Sequence, residues 1–532
     1  MWHPIWLVTL LCAGAVNGKQ WPGKLRFPWQ KDRDSSRYQV PCVSNGKFYR
    51  DPNRDPELMH TSDSCAQYYL CIDEEVYEFK CSRDLMFDID RQICDFKAKV
   101  RNCGANVQMT TPKPILNTIE PICPQNHHAC GTGDCIPAEL FCDGQNDCPD
   151  NSDEGWCDPE HDPNAAPKCK YQNCTLPSCW CSTDGTLIPG NLEPSQVPQM
   201  VVVTFDDAVN SQNIDIYRKL FDKEKRKNPN GCPYHATYFV SHEFTNYRDV
   251  QELWNLGHEI AVHSITHRKP EDWWTNNATI EDWFDEMVGQ ANIINRYAGI
   301  SMEDMWGMRV PFLRVGWNRQ FVMMQEFGFV YDSSVTAPYS DIPFWPYTLD
   351  YRIPHKCVGE GVKCPSRSFP GIWEMVMNQL KVHEYTCAMV DNCPQVEDEE
   401  EQFQVFMSNF KRHYTTNRAP FGLYFHTGWF QKKSNLKAFS RFLDAIGQMQ
   451  DVWVLNNREV IQWMKNPKPL GQINQMEEWK CGKQIPLEDK ACNIPNTCHV
   501  RSRVLRTDRY LYTCFECPIH YPWLRDEFGV DL

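Results

Sequence analysis

A chain of 532 residues is too long for one small core, so two or more domains are expected. Its net charge of −15 sets aside a nucleic-acid binder, which would carry a basic stripe for phosphates. Its 27 cysteines suit an oxidising compartment.

In chain order, Ile5 to Val16 form a short apolar run bounded by Asn17 and Gly18, the pattern of a signal peptide over residues 1–18. That run is too short to span a bilayer, and no later uninterrupted apolar stretch reaches about 18 residues. A soluble, secreted mature protein is therefore expected, with no membrane span. Cys12 leaves with the signal, and the 26 cysteines that remain are an even number, consistent with complete pairing. Asn277 in NAT is the expected glycosylation acceptor, whereas Asn173 in NCT stands beside a cysteine expected to be bridged.

Cys42, Cys65, Cys71, Cys81, Cys94 and Cys103 enclose a small aromatic-rich segment containing Phe48, Tyr49, Tyr68, Tyr69, Tyr77, Phe79 and Phe87. A piece this size needs disulfides because its core is small. The intervals of 5, 9 and 12 residues, with CAQYYLC and LMFDIDRQICDF, resemble the peritrophin-type chitin-binding domain, taken over residues 38–105. The resemblance implies a small disulfide-rich β module with chitin as its ligand. Most of its aromatics are expected in the core, with one or two left to stack on sugar rings.

Six further cysteines, Cys123, Cys130, Cys135, Cys142, Cys148 and Cys157, follow at intervals of 6, 4, 6, 5 and 8. FCDGQNDCPDNSDEGWC places Asp143, Asp147, Asp153 and Glu154 close together, hard oxygen enough for Ca²⁺ once two backbone carbonyls join. This segment, 121–158, resembles the LDL-receptor class A repeat, and the resemblance puts those carbonyls at Leu140 and Gln145. Ligand-binding repeats often carry an aromatic where Leu140 stands, so a structural calcium module is preferred to one that captures a protein lysine. TTPKPILNTIEP and DPEHDPNAAP flank it as proline-rich linkers, which suggests modules tethered more than packed.

From about Pro198 the runs VVVTF, ATYFV, HEIAVH, WGMRV, GFVYD, GLYFH and VWVLN alternate with helical patterns such as NIDIYRKLF and NLKAFSRFLDAIGQM. That rhythm predicts a parallel barrel. The acidic run Glu397 to Glu401 is expected to be a solvated loop.

Two of these strands end in chemistry. Asp206 and Asp207 close MVVVTFDD, and His263 and His267 close EIAVHSITH. A DD pair alone is usually a cap or a solvated turn. Their shared setting after β-like runs is what points to a site, because βα loops are where α/β barrels keep their chemistry. The two imidazoles, at i and i+4, can face the same way on a turn of helix, and with one carboxylate they suit Zn²⁺ with a coordination position left open. Hydrolysis needs that position, since the metal polarises a carbonyl and activates water.

The order TFDD, HSITH, RVPF, YDSS, LYFH resembles the polysaccharide deacetylases of carbohydrate esterase family 4, over residues 198–470. With both cysteine modules in front, the whole chain resembles the arthropod chitin deacetylases. The resemblance implies a distorted (β/α)7 barrel followed by a cysteine-rich extension, 471–532. It implies Asp207, His263 and His267 as metal ligands and Asp206 as base. Arg309 would orient the base, and the backbone N–H of Phe312 would meet the developing oxyanion, at a position where the family usually has Tyr. His426 would be the acid, Asp332 its orienting carboxylate, and Leu423 the wall of an acetyl pocket. Trp317, Trp345 and Trp429 are the candidates for sugar stacking. Fourteen cysteines from Cys169 to Cys517 have a connectivity the sequence leaves open, though secretion favours bridges over a redox site at Cys514 and Cys517.

The expected activity is metal-dependent N-deacetylation of chitin and its oligosaccharides in an extracellular chitinous matrix such as cuticle. Zn²⁺ is expected in the catalytic domain and Ca²⁺ in the class A repeat, with extracellular matrix proteins as a second class of partner. The competing reading is a matrix-organising chitin-binding protein with little turnover; presence of Asp206, Asp207, His263 and His267 argues against it.

Overall fold

The computed structural model describes residues 123–530 except 156, 158–159 and 482–484, together with 48–49, 65–72, 75–81, 85–89, 93–96 and 100. The expected signal peptide and the TTPKPILNTIEP linker lie outside the described residues. The chain divides into two compact units, Met1–Thr118 and Ile119–Leu532.

In the first unit, Gln67–Ile72 pairs antiparallel with Glu75–Lys80 and, along its other edge, with Phe48–Tyr49. A hairpin joins Leu85–Asp88 to Ile93–Phe96. Tyr49, Tyr69 and Phe87 are buried, and the half-buried Tyr68 stacks on Phe87 at 4.0 Å between centroids. These rings form the module's small core. The side chains of Phe48, Tyr77 and Phe79 lie outside the described residues.

The second unit begins with the class A segment, built on a hairpin of His127–Ala129 with Cys135–Pro137 and closed by Cys123–Cys135, Cys130–Cys148 and Cys142–Cys157. The DPEHDPNAAP stretch after it is not the free tether its composition suggests. Asp162 is buried and accepts from Ser366 Oγ at 2.5 Å, and the amide of Ala166 donates to Ser366 O at 2.7 Å. A proline-rich composition cannot reveal a partner some two hundred residues further on.

Eight parallel strands form the main sheet: β1 Gln199–Asp206, β2 Thr237–Val240, β3 Glu259–Val262, β4 Gly307–Met308, β5 Tyr331–Asp332, β6 Phe369–Glu374, β7 Phe421–His426 and β8 Val452–Leu455. All seven expected runs are strands. The one missed, β6, carries Pro370 and Gly371, residues that argue against a strand when seen alone. β7 lines one edge of β1, while the other edge is shared by β8 along Gln199–Val202 and β2 along Thr204–Asp206. Tyr347–Leu349 pairs antiparallel with the outer edge of β6. Where a distorted (β/α)7 barrel is expected, the sheet holds eight parallel strands, and among the described residues no ladder joins β6 to β7.

Among the described residues seven helices of seven or more residues accompany it: α1 Ile214–Leu220, α2 Tyr247–Asn255, α3 Gly289–Ala298, α4 Trp317–Phe327, α5 Glu399–Thr415, α6 Lys433–Ile446 and α7 Asn457–Lys465. On α6, Ala438, Phe439, Phe442, Leu443 and Ile446 are buried, the spacing of one apolar face. The run Glu397–Glu401 is not a loop: Asp398 caps α5 by accepting from Glu401 N, and Glu399, Glu400 and Glu401 fill its first turn, where the helix dipole favours negative charge.

Side-chain alternation along β1 sets the layers. Val201, Val203 and Phe205 pack with Tyr217 and Leu220 of α1 and with Phe439 and Phe442 of α6. Met200 and Val202 face the other way, with Phe239, Ala261, Tyr331, Trp373 and Trp453. By the same parity Thr204 and Asp206 belong to the inner face. The fourteen cysteines form seven bridges: 169–181, 174–179, 232–481, 357–364, 387–393, 492–514 and 498–517. Cys514 and Cys517 thus pair with different partners rather than with each other. Asn277 is exposed just after the short helix Trp273–Asn276.

Candidate active site

Parallel register places Asp206 of β1 beside His426 of β7 at the carboxyl ends of their strands. Asp206, on the inner face, meets Arg309: Nη1 donates to Asp206 Oδ1 at 2.7 Å and to Thr204 Oγ1 at 2.7 Å. Arg309 Nε donates to Ser333 O and Nη2 to Ser333 Oγ, while the guanidinium lies 4.1 Å from the Phe239 ring. Both partners are buried, so removing either would leave an uncompensated charge costing about 3–5 kcal/mol. Burial alone would raise the Asp206 carboxyl, but the Arg309 guanidinium and the charge of His426 outweigh it and hold it below the usual range. Asp206 is therefore ionised at neutral pH.

The next residue turns away. Asp207 has a φ of 81°, outside the extended strand, and its carboxylate faces His263 and His267 instead of Arg309. Strain of this kind is stored where a site needs it. The two histidines reach it from a loop, not from the helical turn the i,i+4 spacing suggests: His263 follows β3, and Ser264 and His267 adopt φ values of 70° and 45°. His267 Nε2 lies 3.4 Å and His263 Nε2 3.9 Å from Asp207 Oδ1, and the ligand atoms of the three residues fall within 4.8 Å of one another.

Both Nε2 atoms are buried without a hydrogen-bond partner. His263 Nδ1 sits 2.8 Å from Arg309 O, an acceptor, so that nitrogen carries the proton and Nε2 presents its lone pair to Asp207. Burial and the neighbouring His263 lower the pKa of His267 to about 4, which keeps it neutral, as ligation requires. Two bare imidazole nitrogens facing one carboxylate fit a divalent cation of the zinc type.

His426 Nε2 lies 4.0 Å from Asp207 Oδ2. Its orienting carboxylate is Asp391, whose Oδ2 is 2.6 Å from His426 Nδ1 and whose Oδ1 accepts from the His426 amide at 3.1 Å. Burial would lower this imidazole, but the Asp391 hydrogen bond and the Asp206 charge raise it to about 9. Asp332 does not fill that place. It is wholly buried and accepts from Gln320 Nε2, Ser334 Oγ and the Ser334 amide, which ties it to the loop behind Arg309. Asp391 escaped the sequence reading because it sits in a short turn, Val390–Asn392, between Cys387 and Cys393, outside every strand-end motif.

Phe312 occupies a turn, Pro311–Leu313, with a φ of 59°, its ring centroid 4.4 Å from that of His267 in an edge-on arrangement. Leu423 shares the helix-facing side of β7 with Phe421 and Phe425 and is fully buried there, so it cannot wall an acetyl pocket; Tyr424 faces inward instead, 5.0 Å from the Arg309 guanidinium. Two of the three tryptophans are likewise excluded as sugar platforms. Trp317 is buried against Cys142 and Cys157, and Trp345 stacks on Trp463 in the inner core. Trp429 is half-buried against Phe406 and Phe425. Phe244, in the loop after β2, is an exposed aromatic, 64% accessible. That loop is stitched to the one following Asp207, through Asn210 Nδ2 to Phe244 O at 3.3 Å and Asn246 N to Val209 O at 2.7 Å.

In the class A segment, Asp153 Oδ2 accepts from Asp147 N, Glu154 Oε1 from Gly144 N, and Asp143 Oδ1 from Gln145 N. Asp153 Oδ1 and Glu154 Oε2 are buried without partners. Burial raises Asp143 and takes Glu154 to about 7.

Chitin deacetylase 1 of Bombyx mori is 44% identical over 98% of this chain and 97% of its own length. The chain belongs to the chitin deacetylase family. Chitin deacetylase 8 of the same organism is 38% identical over 69% of this chain and 94% of its own. Within this family member, residues 52–103 match the Chitin binding Peritrophin-A domain and residues 121–157 the Low-density lipoprotein receptor domain class A. A family 4 carbohydrate esterase from Streptomyces lividans aligns at 13% identity and a TM-score of 0.28 over 48% of this chain and 91% of that one, a likeness too low to add to the topology above.

Proposed function

We infer that this chitin deacetylase family member hydrolyses the N-acetyl groups of N-acetylglucosamine units in chitin, releasing acetate and leaving glucosamine units. The observation that carries the reading is the grouping of one carboxylate with two bare imidazole nitrogens, beside a second, ionised carboxylate held apart by Arg309. Asp207, His263 and His267 would hold Zn²⁺, and Asp143, Asp147, Asp153 and Glu154, with carbonyls of Leu140 and Gln145, would hold Ca²⁺. Bound zinc supplies Lewis acidity toward the acetyl carbonyl and toward water.

The side chains divide the rest of the work. Asp206, ionised and fixed by Arg309, accepts a proton from the attacking water. Phe312 offers its main-chain N–H to the carbonyl oxygen as negative charge develops there. His426, protonated and held by Asp391, gives its proton to the amide nitrogen, so that the C–N bond breaks with a neutral amine leaving. The peritrophin-type module would keep the enzyme on its polymer. Ten described disulfides support an extracellular location, and among the described residues no helix is long and apolar enough to cross a membrane.

Acetate release from chitin oligomers tests the reading. Activity is expected to vanish after dialysis against a chelator and to return with added Zn²⁺; turnover that survives metal removal would overturn it, and no turnover under any loading would favour the matrix-organising alternative. Phe244 should serve as a sugar platform at a distance from the reacting acetyl group. Asn210, which binds its loop, is three residues beyond Asp207, a span of at most about 11 Å. Phe244→Ala is expected to lower kcat/KM on long oligomers about 2- to 10-fold, the worth of one aromatic contact, and to leave the shortest substrates unchanged. An equal effect at every length would remove it from that role.

A further inference from the structure

The segment carrying Arg309 and Phe312 runs through Gly316 straight into Trp317, the first residue of α4. Trp317 has a φ of 56°, a left-handed conformation that costs a bulky residue about 1–2 kcal/mol. The class A module holds it there. The indole is 1% exposed, packs on Cys142 and Cys157, and donates from Nε1 to Cys157 O at 3.0 Å. Asn318 Nδ2 donates to Cys142 O at 2.9 Å, and Arg367 Nη2 to Glu139 O at 2.8 Å and to Phe141 O. Every one of these groups on the catalytic side meets a backbone carbonyl of the module, so the dock depends on the module's fold rather than on its surface side chains.

The module's acidic side is also engaged from within the chain. Arg319 stands so close to Gly144 that a Cβ there would meet its Cγ at 2.6 Å, and its charge acts on Glu154 as that of Arg367 acts on Asp143. The positive groups such a rim attracts are thus supplied in cis. On the inner side, Gln320 of α4 accepts from Gly316 N at 2.9 Å and donates to Asp332 Oδ1 at 2.8 Å. Asp332 accepts from Ser334 Oγ, which in turn accepts from Val310 N at 2.9 Å. This continuous set of bonds leads from the module to the residue next to Arg309.

We propose that the class A module is an intramolecular brace: its cation-ordered loop grips Trp317 and Asn318 and thereby fixes the Arg309–Gly316 segment of the active site. This gives Asp332 a positioning role through Gln320 and Ser334. Asp153 and Glu154, buried with one unpartnered oxygen each, couple the brace to Ca²⁺, because a module with little apolar core loses its shape when those charges are left facing one another.

Amide hydrogen exchange on the full-length protein tests this independently of turnover. In Asp153→Asn, peptides covering 310–320 are expected to exchange about tenfold faster than in the wild type, with β1 peptides, 199–206, unchanged. Equal protection of 310–320 in the two proteins would overturn the brace. Should the variant lose protection everywhere, wild-type protein titrated with Ca²⁺ at constant Zn²⁺ decides: protection of 310–320 that rises with Ca²⁺ supports the proposal, and a flat response refutes it.

Discussion

Asp206→Asn is expected to lower kcat by about 10²- to 10⁴-fold, the worth of a general base, while bound metal stays at the wild-type level. The expectation follows from the way two adjacent carboxylates are driven apart. Asp206 continues the inner face of β1 and spends one oxygen on Arg309, whereas Asp207, turned by its left-handed backbone, spends its own on the two histidines. Asparagine keeps the shape and one acceptor for Arg309 but cannot take up a proton. Acetate release measured beside zinc content separates the roles. Loss of metal along with activity would mean that Asp206 is a ligand, and near-normal kcat with full metal would move the base elsewhere. Asp207→Asn should behave in the opposite way, with metal affinity falling first.

The ingredients of this division were legible in the sequence because they sit at strand ends. TFDD, HSITH and LYFH each follow an apolar run whose period and length identify it, and the structure brings their polar residues together at one end of the sheet. What escaped was set by tertiary contacts alone. Leu423 and Tyr424 are neighbours in LYFH, and only the register of β7 against β1 decides that Leu423 faces the helices and Tyr424 the interior. Trp317 looks like a sugar platform in a polar stretch, GWNRQ, until the class A module covers it. β6 hides behind Pro370 and Gly371, so a rhythm of strands and helices does not show it.

Asp391 makes the sharpest case, and its test is a pH profile. His426 must be protonated to release the amine, and the Asp391 hydrogen bond with the Asp206 charge raises its pKa to about 9. The acid is then present below that value and is lost as pH rises through it, so turnover should fall on the alkaline side. Asp391→Asn removes the charge and weakens the bond, while burial continues to press the imidazole down. With the Asp206 charge still in place its pKa should fall toward the ordinary imidazole value of about 6.5, moving the alkaline limb of kcat toward acid by about two units. A cation at Asp207, 4.0 Å from His426, depresses both profiles alike, so the difference between them is the quantity to read. His426→Gln should cost about 10²- to 10⁴-fold in kcat and flatten that limb altogether. Asp332→Asn, by contrast, should leave the limb where it is, because Asp332 meets Gln320 and Ser334 and not the imidazole. An alkaline limb that moves with Asp332 and ignores Asp391 would return the orienting role to the strand-end carboxylate.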